Sequence, residues 1–172
     1  MSFAFGHLVG AWTAGKTYEY GAKKKISHSA WLFLLLGGLL PDLDFLLDWT
    51  FGSDFHRTFT HSILFLILVS LVVYLIFSLR KHPEKKTFAL LIGLGIATHF
   101  FLDAFFSYGI PLLWPIKWHF SFFQGIMYSI PQGSLLTGTA GELAFKLKLA
   151  IMDMAIGAAW IFYLWFKKDI QF

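Results

Sequence analysis

The sequence of 172 residues contains no cysteine and few charged residues. The absence of thiols excludes disulfide bonds, zinc fingers, thiolate clusters and a cysteine nucleophile. Charged residues make up only 14% of the chain, whereas hydrophobic residues make up 57% and raise the mean hydropathy to +0.64. This balance lies on the apolar side of soluble proteins and predicts a membrane protein. At this length we expect a single domain covering residues 1–172.

The few charges are also unevenly distributed. The net charge of +4 is carried by short basic clusters that each border an apolar segment, namely Lys23–Lys25, Arg80 with Lys81, Lys85 with Lys86, and Lys167 with Lys168. Such clusters are typical of the cytoplasmic ends of membrane helices. No extended basic groove is visible, so nucleic acid is not an expected partner. The N-terminus has no basic region before its apolar part, and we do not expect a removable signal peptide.

Long apolar segments indicate the helices. Residues 63–79 form the clearest segment, because seventeen residues run without a charge and end at Arg80. With a rise of about 1.5 Å per residue, this is near the shortest helix that crosses a bilayer core of roughly 30 Å. We predict an all-α, polytopic membrane bundle of about five helices. The first, less apolar helix either packs against four membrane-spanning helices or lies half exposed at an interface, and the segments are residues 4–20, 31–49, 63–79, 88–106 and 149–166.

Residues 107–141 differ from these segments because they combine prolines, glycines and many aromatic residues without a regular period. Aromatic residues favour the boundary between membrane and water. We therefore predict that residues 107–141 form an interfacial lid within the same domain.

Ionisable residues inside the apolar segments recur at one depth. If every basic cluster is cytoplasmic, they lie 13 to 19 residues away from the nearest cluster, or roughly 20 to 28 Å along a helix. An unpaired ionisable group at membrane depth costs at least about 2.5 to 3.5 kcal/mol. We therefore predict a shared polar cavity near the outer face, stabilised by divalent metal cations. The residues are His7, Asp42, Asp44, His61, His99, Asp103 and Asp153.

Two short motifs in these segments suit a metal site. "HFFLD" places His99 and Asp103 four residues apart on one helix face, where both could hold one ion or form an ordinary His–Asp hydrogen bond. "LPDLD" places Asp42 and Asp44 where Pro41 breaks the helix. These aspartates either line the cavity or face water at a helix end, and the spacing leaves the choice between them open.

A third motif, "HRTFTHS", covers residues 56–62 and precedes an apolar segment. We expect Thr58 or Thr60 to cap the following helix, with His61 in its first turn. Arg57 could bind a phosphate oxygen, and His56 is either a ligand or a neighbour of one. The alternative is an ordinary polar loop. The roles of His119, Glu142 and Asp153 stay open, although Asp153 could orient a ligand histidine.

Over roughly its first 115 residues, the chain resembles the family of LexA-binding, inner-membrane-associated metal-dependent hydrolases. The resemblance is carried by an ordered set of motifs, namely His7, "LPDLD", "HRTFTHS" and "HFFLD". That family is distantly similar to zinc-dependent phospholipase C and related single-strand nucleases, which are all-helical enzymes with a zinc cluster. The resemblance implies metal ligands at His7, Asp42 or Asp44, His61, His99 and Asp103, with Asp103 as a bridge. In those relatives two later histidines and a glutamate complete a further metal site. Here only His119 follows, and Glu142 has no histidine four residues before it, so we expect one or two Zn²⁺ ions, with Mn²⁺ as the alternative.

These observations predict a hydrolase, specifically a phosphoesterase that uses metal-activated water on a lipid or lipid-linked phosphate. Asp44, His56 and Arg57 are the candidate catalytic residues. We expect a multi-pass protein of the bacterial inner membrane, with the site toward the outer face. The resemblance also implies a cytoplasmic LexA partner, which no other sequence feature supports.

The alternative is a membrane protein that binds or transports metal or protons through the same cluster. Residues 63–79 contain only Ser70, Tyr74 and Ser78 as polar residues, which favours a closed cavity and therefore the enzyme.

Overall fold

A computed structural model describes residues 4–44, 58–105, 109–116 and 118–122, together with positions 151, 155, 159, 160 and 163. Within these ranges the chain forms four α-helices and no strand: α1 (Ala4–Ala22), α2 (His28–Leu39), α3 (Ile63–Leu79) and α4 (Lys85–Asp103). Two short 3-10 turns, Leu40–Leu43 and Phe59–His61, lie between α2 and α3. The all-helical prediction is confirmed for these ranges. The predicted fifth helix, 149–166, lies almost entirely outside them.

Local sequence explains where α2 begins and ends. The Ser27 hydroxyl caps its first turn by accepting a hydrogen bond from the Ala30 amide. The helix ends at Leu39, and Pro41 follows in the first 3-10 turn. Because proline cannot donate the amide that a continuing helix requires, the chain tightens there. The predicted break at Pro41 is confirmed.

Helix α3 is capped by Ser62, whose hydroxyl accepts a hydrogen bond from the Phe65 amide. The prediction that Thr58 or Thr60 caps this helix is therefore wrong, and His61 lies in the preceding 3-10 turn instead of in α3. Only Val73 of α3 is buried, although nearly all residues of the helix are apolar. Its exposed side chains are Ile63, Leu64, Ile67, Leu68, Leu71, Val72, Leu75, Ile76 and Leu79. Such an exposed apolar surface is expected of a helix in contact with lipid.

Helix α4 lies at the centre of the bundle, in contact with α1, α2 and α3. Glycines allow α2 and α4 to touch through their backbones: a Cβ atom added to Gly37 would collide with the Ile92 carbonyl oxygen, and one added to Gly95 would collide with that of Leu34. Gly38 makes a similar approach to α1, where an added Cβ atom would lie 2.9 Å from that of Ala11. Small residues permit this close packing in membrane helices. Three helices therefore meet tightly beside Gly37 and Gly38.

The loops between α1 and α2 and between α3 and α4 lie at the same end of the bundle. The Ser27 hydroxyl donates to the Glu84 carboxylate at 3.0 Å, which joins the two loops. The basic residues Lys23 and Lys81 follow the ends of α1 and α3 with positive φ angles of 51° and 52°, the conformation that closes a helix into a turn. We call this the basic end. The start of α3 and the C-terminal end of α4 therefore lie at the opposite end, together with the first residues of α1 and the 3-10 turn after α2.

The described part of the predicted lid is attached to this opposite end. Ile110 and Phe120 exchange two backbone hydrogen bonds of 2.9 Å as an isolated antiparallel bridge. The Leu112 carbonyl accepts from the Ile63 amide at 2.9 Å, and the Ala104 carbonyl accepts from the Phe122 amide at 2.8 Å. These bonds tie the segment to the start of α3 and the end of α4. Residues 123–141 of the predicted lid lie outside the described ranges.

Among the described residues, one helix is long enough and apolar enough to cross a membrane. Helix α4, with 19 residues, meets this requirement. The apolar helices of residues 28–43 and 63–79 are shorter than the required length. The prediction of four spanning helices is therefore not confirmed, because α2 is interrupted at Pro41 and α3 has only 17 residues.

Candidate metal centre

Five of the predicted site residues converge at the end of the bundle opposite the basic end. They come from α1, from both 3-10 turns and from α4: His7, Asp42, His61, His99 and Asp103. The three histidines are fully buried, and Asp103 is 2% exposed. The side chain of Asp42 is 21% exposed and gives the cluster its contact with the surface. Residues predicted to lie at one depth therefore form one group.

Four of these residues turn one ligand atom each toward the others. The ligand atoms of Asp42, His61, His99 and Asp103 all lie within 4.8 Å of one another. Asp42 Oδ1 is 3.6 Å from Nε2 of both His61 and His99. Asp103 Oδ2 is 3.6 Å from His61 Nε2 and 3.9 Å from His99 Nε2. Two imidazoles and two carboxylates form a donor set that suits Zn²⁺ or Mn²⁺, so this group could hold a metal ion.

His7 approaches the same two carboxylates from the other side. Its Nε2 atom lies 3.7 Å from Asp42 Oδ2 and 3.5 Å from Asp103 Oδ1. Each carboxylate thus turns one oxygen toward the His61 and His99 pair and the other oxygen toward His7. A carboxylate with its oxygens divided in this way has the geometry needed to bridge two cations.

The orientation of His99 is fixed by the backbone of α2. Its Nδ1 atom lies 2.9 Å from the Gly38 carbonyl oxygen, so we assign the ring proton to Nδ1 as the donor. The Nε2 lone pair then points into the cluster, as a metal ligand requires. The His7 ring also stacks on the His99 ring, with 3.7 Å between centroids. The close contacts of Gly37, Gly38 and Gly95 are therefore what bring His99 within reach of this carbonyl.

The structure distinguishes Asp42 from Asp44. Asp44 lies on the far side of His61: its Oδ2 atom is 3.8 Å from His61 Nδ1, the ring nitrogen opposite the one that faces the cluster. The same oxygen accepts a hydrogen bond from the Thr60 hydroxyl. In a 3-10 turn, residues two apart point in different directions, which explains why both aspartates cannot face one centre. Asp42 therefore belongs to the group of four, and Asp44 does not.

The other predicted residues lie either outside the described ranges or outside the cluster. His56, Arg57, Glu142 and Asp153 lie outside the described ranges. His119 is exposed in the segment 118–122 and is not among the four clustered residues.

Two contributors to the site were not predicted, namely Gly38 through its carbonyl and Thr60 through its hydroxyl. Thr60 stands next to His61 in the sequence, but its position suggested only a helix cap.

The exposed apolar helix α3 and the buried His/Asp group define a helical membrane protein with a candidate metal centre. Residues 1–170 match the family model described as YdjM inner membrane protein, and the chain belongs to this family. The inner-membrane part of the predicted resemblance is thereby confirmed.

Among curated proteins, the chain is similar to "Uncharacterized protein YvsG" of Bacillus subtilis (strain 168). The two are 36% identical over 80 residues, which cover 46% of this chain and 44% of that protein. The match therefore spans less than half of either protein. No solved structure matches the chain.

Proposed function

We propose that this protein is an integral membrane, metal-dependent hydrolase that acts as a phosphoesterase on a lipid or lipid-linked phosphate. The observation that carries the proposal is the convergence of Asp42, His61, His99 and Asp103, with ligand atoms within 4.8 Å of one another in a largely buried position.

The spacing of the ligand atoms within this group supports the proposed metal site. The nitrogen-to-carboxylate distances are 3.6 to 3.9 Å, longer than the usual 2.7 to 3.2 Å of a hydrogen bond. Two donor atoms bound tetrahedrally to one Zn²⁺ at about 2.0 to 2.2 Å lie roughly 3.3 to 3.6 Å apart. His61 Nε2 and His99 Nε2 are 3.2 Å apart, close to this separation. The four side chains are therefore spaced as ligands around a common centre.

The same geometry supports a proposal of one or two cations, Zn²⁺ in the first place and Mn²⁺ as the alternative. His61, His99 and one oxygen from each carboxylate would hold the first cation. His7 and the remaining oxygens of Asp42 and Asp103 would hold the second, with both aspartates as bridges. When bound, a divalent metal supplies Lewis acidity and activates water for hydrolysis. The implied likeness to zinc-dependent phospholipase C is part of this proposal.

The position of the site supports a lipid substrate. Backbone hydrogen bonds join the start of α3 and the end of α4 to a segment whose exposed residues include Trp114, Ile116, Trp118 and Phe122. Aromatic residues of this kind favour the membrane–water boundary, where a lipid phosphate is located. We propose that Arg57, with His56 beside it, balances the charge of that phosphate, because the two residues lie four and five positions before His61 in the sequence.

Binding or transport without hydrolysis is the competing function. Between the cluster and the basic end, the described core contains fully buried apolar side chains, including Leu34, Phe88, Leu91 and Ile96. A transport path would require polar groups along this route. The apolar core therefore supports a closed site and an enzyme.

We further propose that the site faces the outer side of the inner membrane. The support is the basic end on the other side of the bundle, because basic loops favour the cytoplasm. In this orientation a reporter fused after Phe172 is cytoplasmic, since the predicted last helix runs toward Lys167. A reporter found outside would invert the orientation.

Phosphate release from a panel of phospholipids and lipid-linked phosphates tests the hydrolase. Full-length protein in detergent is loaded with Zn²⁺ or Mn²⁺ and compared with His99→Ala, which removes a proposed ligand. We expect wild-type turnover on at least one lipid and a loss of about 100-fold or more in the variant. His28→Ala is the matched control, because His28 is exposed at the basic end. Metal binding by the wild type without phosphate release from any lipid would favour the binding or transport alternative.

A further inference from the structure

We propose that Thr60 and Asp44 form a side-chain relay that positions His61 for metal binding. The inference rests on the proposed metal site and adds to it two positioning residues that act through His61. It also gives Asp44 a function different from that of Asp42, two residues earlier in the chain.

The hydrogen-bond pattern indicates which group in the relay donates and which accepts. The Thr60 hydroxyl donates to Asp44 Oδ2, and Thr60 Oγ1 lies 3.1 Å from His61 Nδ1. A hydroxyl has a single proton, which here goes to the carboxylate. Toward His61 the hydroxyl therefore offers a lone pair, and Nδ1 is the donor. We assign the ring proton to Nδ1 on this basis, which leaves the Nε2 lone pair facing the cluster.

The local fold holds all three residues of the relay in place. Asp44 follows directly after the first 3-10 turn and is 3% exposed. Thr60 and His61 belong to the second 3-10 turn, which is closed by the Ser62 hydroxyl donating to the Phe59 carbonyl at 2.6 Å. The relay thus connects the two turns, and each turn carries one of the proposed ligands, Asp42 or His61.

The two histidines of the group of four are oriented by different means. His99 donates from Nδ1 to the Gly38 backbone carbonyl, whereas His61 donates to a side-chain hydroxyl. Only the side-chain contact can be removed by substitution. Partners of this kind typically change metal affinity by 10- to 100-fold when they are removed.

Zn²⁺ affinity of the full-length protein in detergent tests the relay, measured by competition with a chromophoric chelator. Thr60→Val keeps the shape of the side chain and removes the hydroxyl, so we expect affinity to fall about 10- to 100-fold. Thr60→Ser restores the hydroxyl and is expected to restore most of the affinity. The matched control is Thr98→Val, because Thr98 adjoins His99 but donates to the Leu94 carbonyl within α4, at 2.8 Å.

A second measurement does not depend on the folding of the variants. In Zn²⁺-loaded wild-type protein labelled with ¹⁵N-histidine, we expect the His61 resonance to show a proton on Nδ1 and coordination through Nε2. Coordination through Nδ1 would overturn the relay.

The outcomes separate the relay from the metal site itself. A wild-type protein that binds no Zn²⁺ contradicts the proposed function and, with it, the relay. Wild-type binding that Thr60→Val leaves unchanged overturns the relay alone, and so does a loss that Thr60→Ser fails to restore.

Discussion

Ionisable groups are mostly exposed at one end of the helical bundle and buried at the other. At the basic end, Lys23, Lys24 and Lys25 are exposed, and Glu19 is held by Lys16 and the Ile26 amide. At the other end, three histidines and Asp103 are buried against one another. Exposed charges cost little and contribute little, whereas buried ones are costly unless they are paired or bound to metal. A bound cation would therefore offset such a cost at the buried end, where the ligand atoms of four residues lie within 4.8 Å of one another.

The layer between the two ends explains why they stay separate. Leu34, Leu91 and Ile96 are fully buried there, and α2 contacts α4 through Gly37 and Gly95. These buried side chains offer no polar group that would link the cluster to the basic end. Substitutions within the layer can therefore test whether burial of charge is tolerated only at the cluster.

The largest effect is expected from Leu91→Asp, which places a carboxylate in the apolar layer of the helix that also carries Asp103. No histidine cluster surrounds Leu91, so the buried charge is uncompensated and we expect the free energy of unfolding to fall by about 3 to 5 kcal/mol. Chemical unfolding of the protein in detergent measures the change. Leu91→Met is the control, with an expected cost below about 1.5 kcal/mol. A stable Leu91→Asp protein would show that this layer admits water.

A smaller effect is expected from Gly95→Ala, which pushes α2 and α4 apart. The new Cβ atom would collide with the Leu34 backbone carbonyl, which cannot rotate away, so we expect a loss of about 1 to 3 kcal/mol. Gly21→Ala is the matched control, because a Cβ atom there would meet no atom within 4 Å beyond its own stretch of helix. Equal stability of the two variants in the same unfolding experiment would contradict the close contact.

Much of this arrangement could be predicted from the sequence because membrane helices have a simple geometry. Basic clusters mark one end of each helix, and a constant rise per residue then gives the depth of every other residue. This reasoning places His7, His61, His99 and Asp103 at one level, where the structure brings them together. The break at Pro41 follows equally directly from its missing amide hydrogen.

Side-chain direction in the 3-10 turns could not be predicted in the same way. Spacing alone leaves Asp42 and Asp44 equivalent, and their separation depends on how the first turn packs against the second. Thr60 and Ser62 are both hydroxyl residues and lie two positions apart in the sequence. The Thr60 hydroxyl nevertheless contacts a histidine, whereas the Ser62 hydroxyl caps α3. Hydropathy also does not register the change to a 3-10 turn after Leu39, which shortens α2.

The most direct test of the central claim is the metal content of the purified full-length protein, wild type against Asp103→Asn, after growth with Zn²⁺ and Mn²⁺. Asparagine keeps the size of the side chain but removes the charge that contacts both His7 and His61. We predict one or two metal ions per wild-type chain and a loss of most of that metal in the variant. A wild-type protein without metal, or a variant with the wild-type amount, would contradict a metal centre at this site.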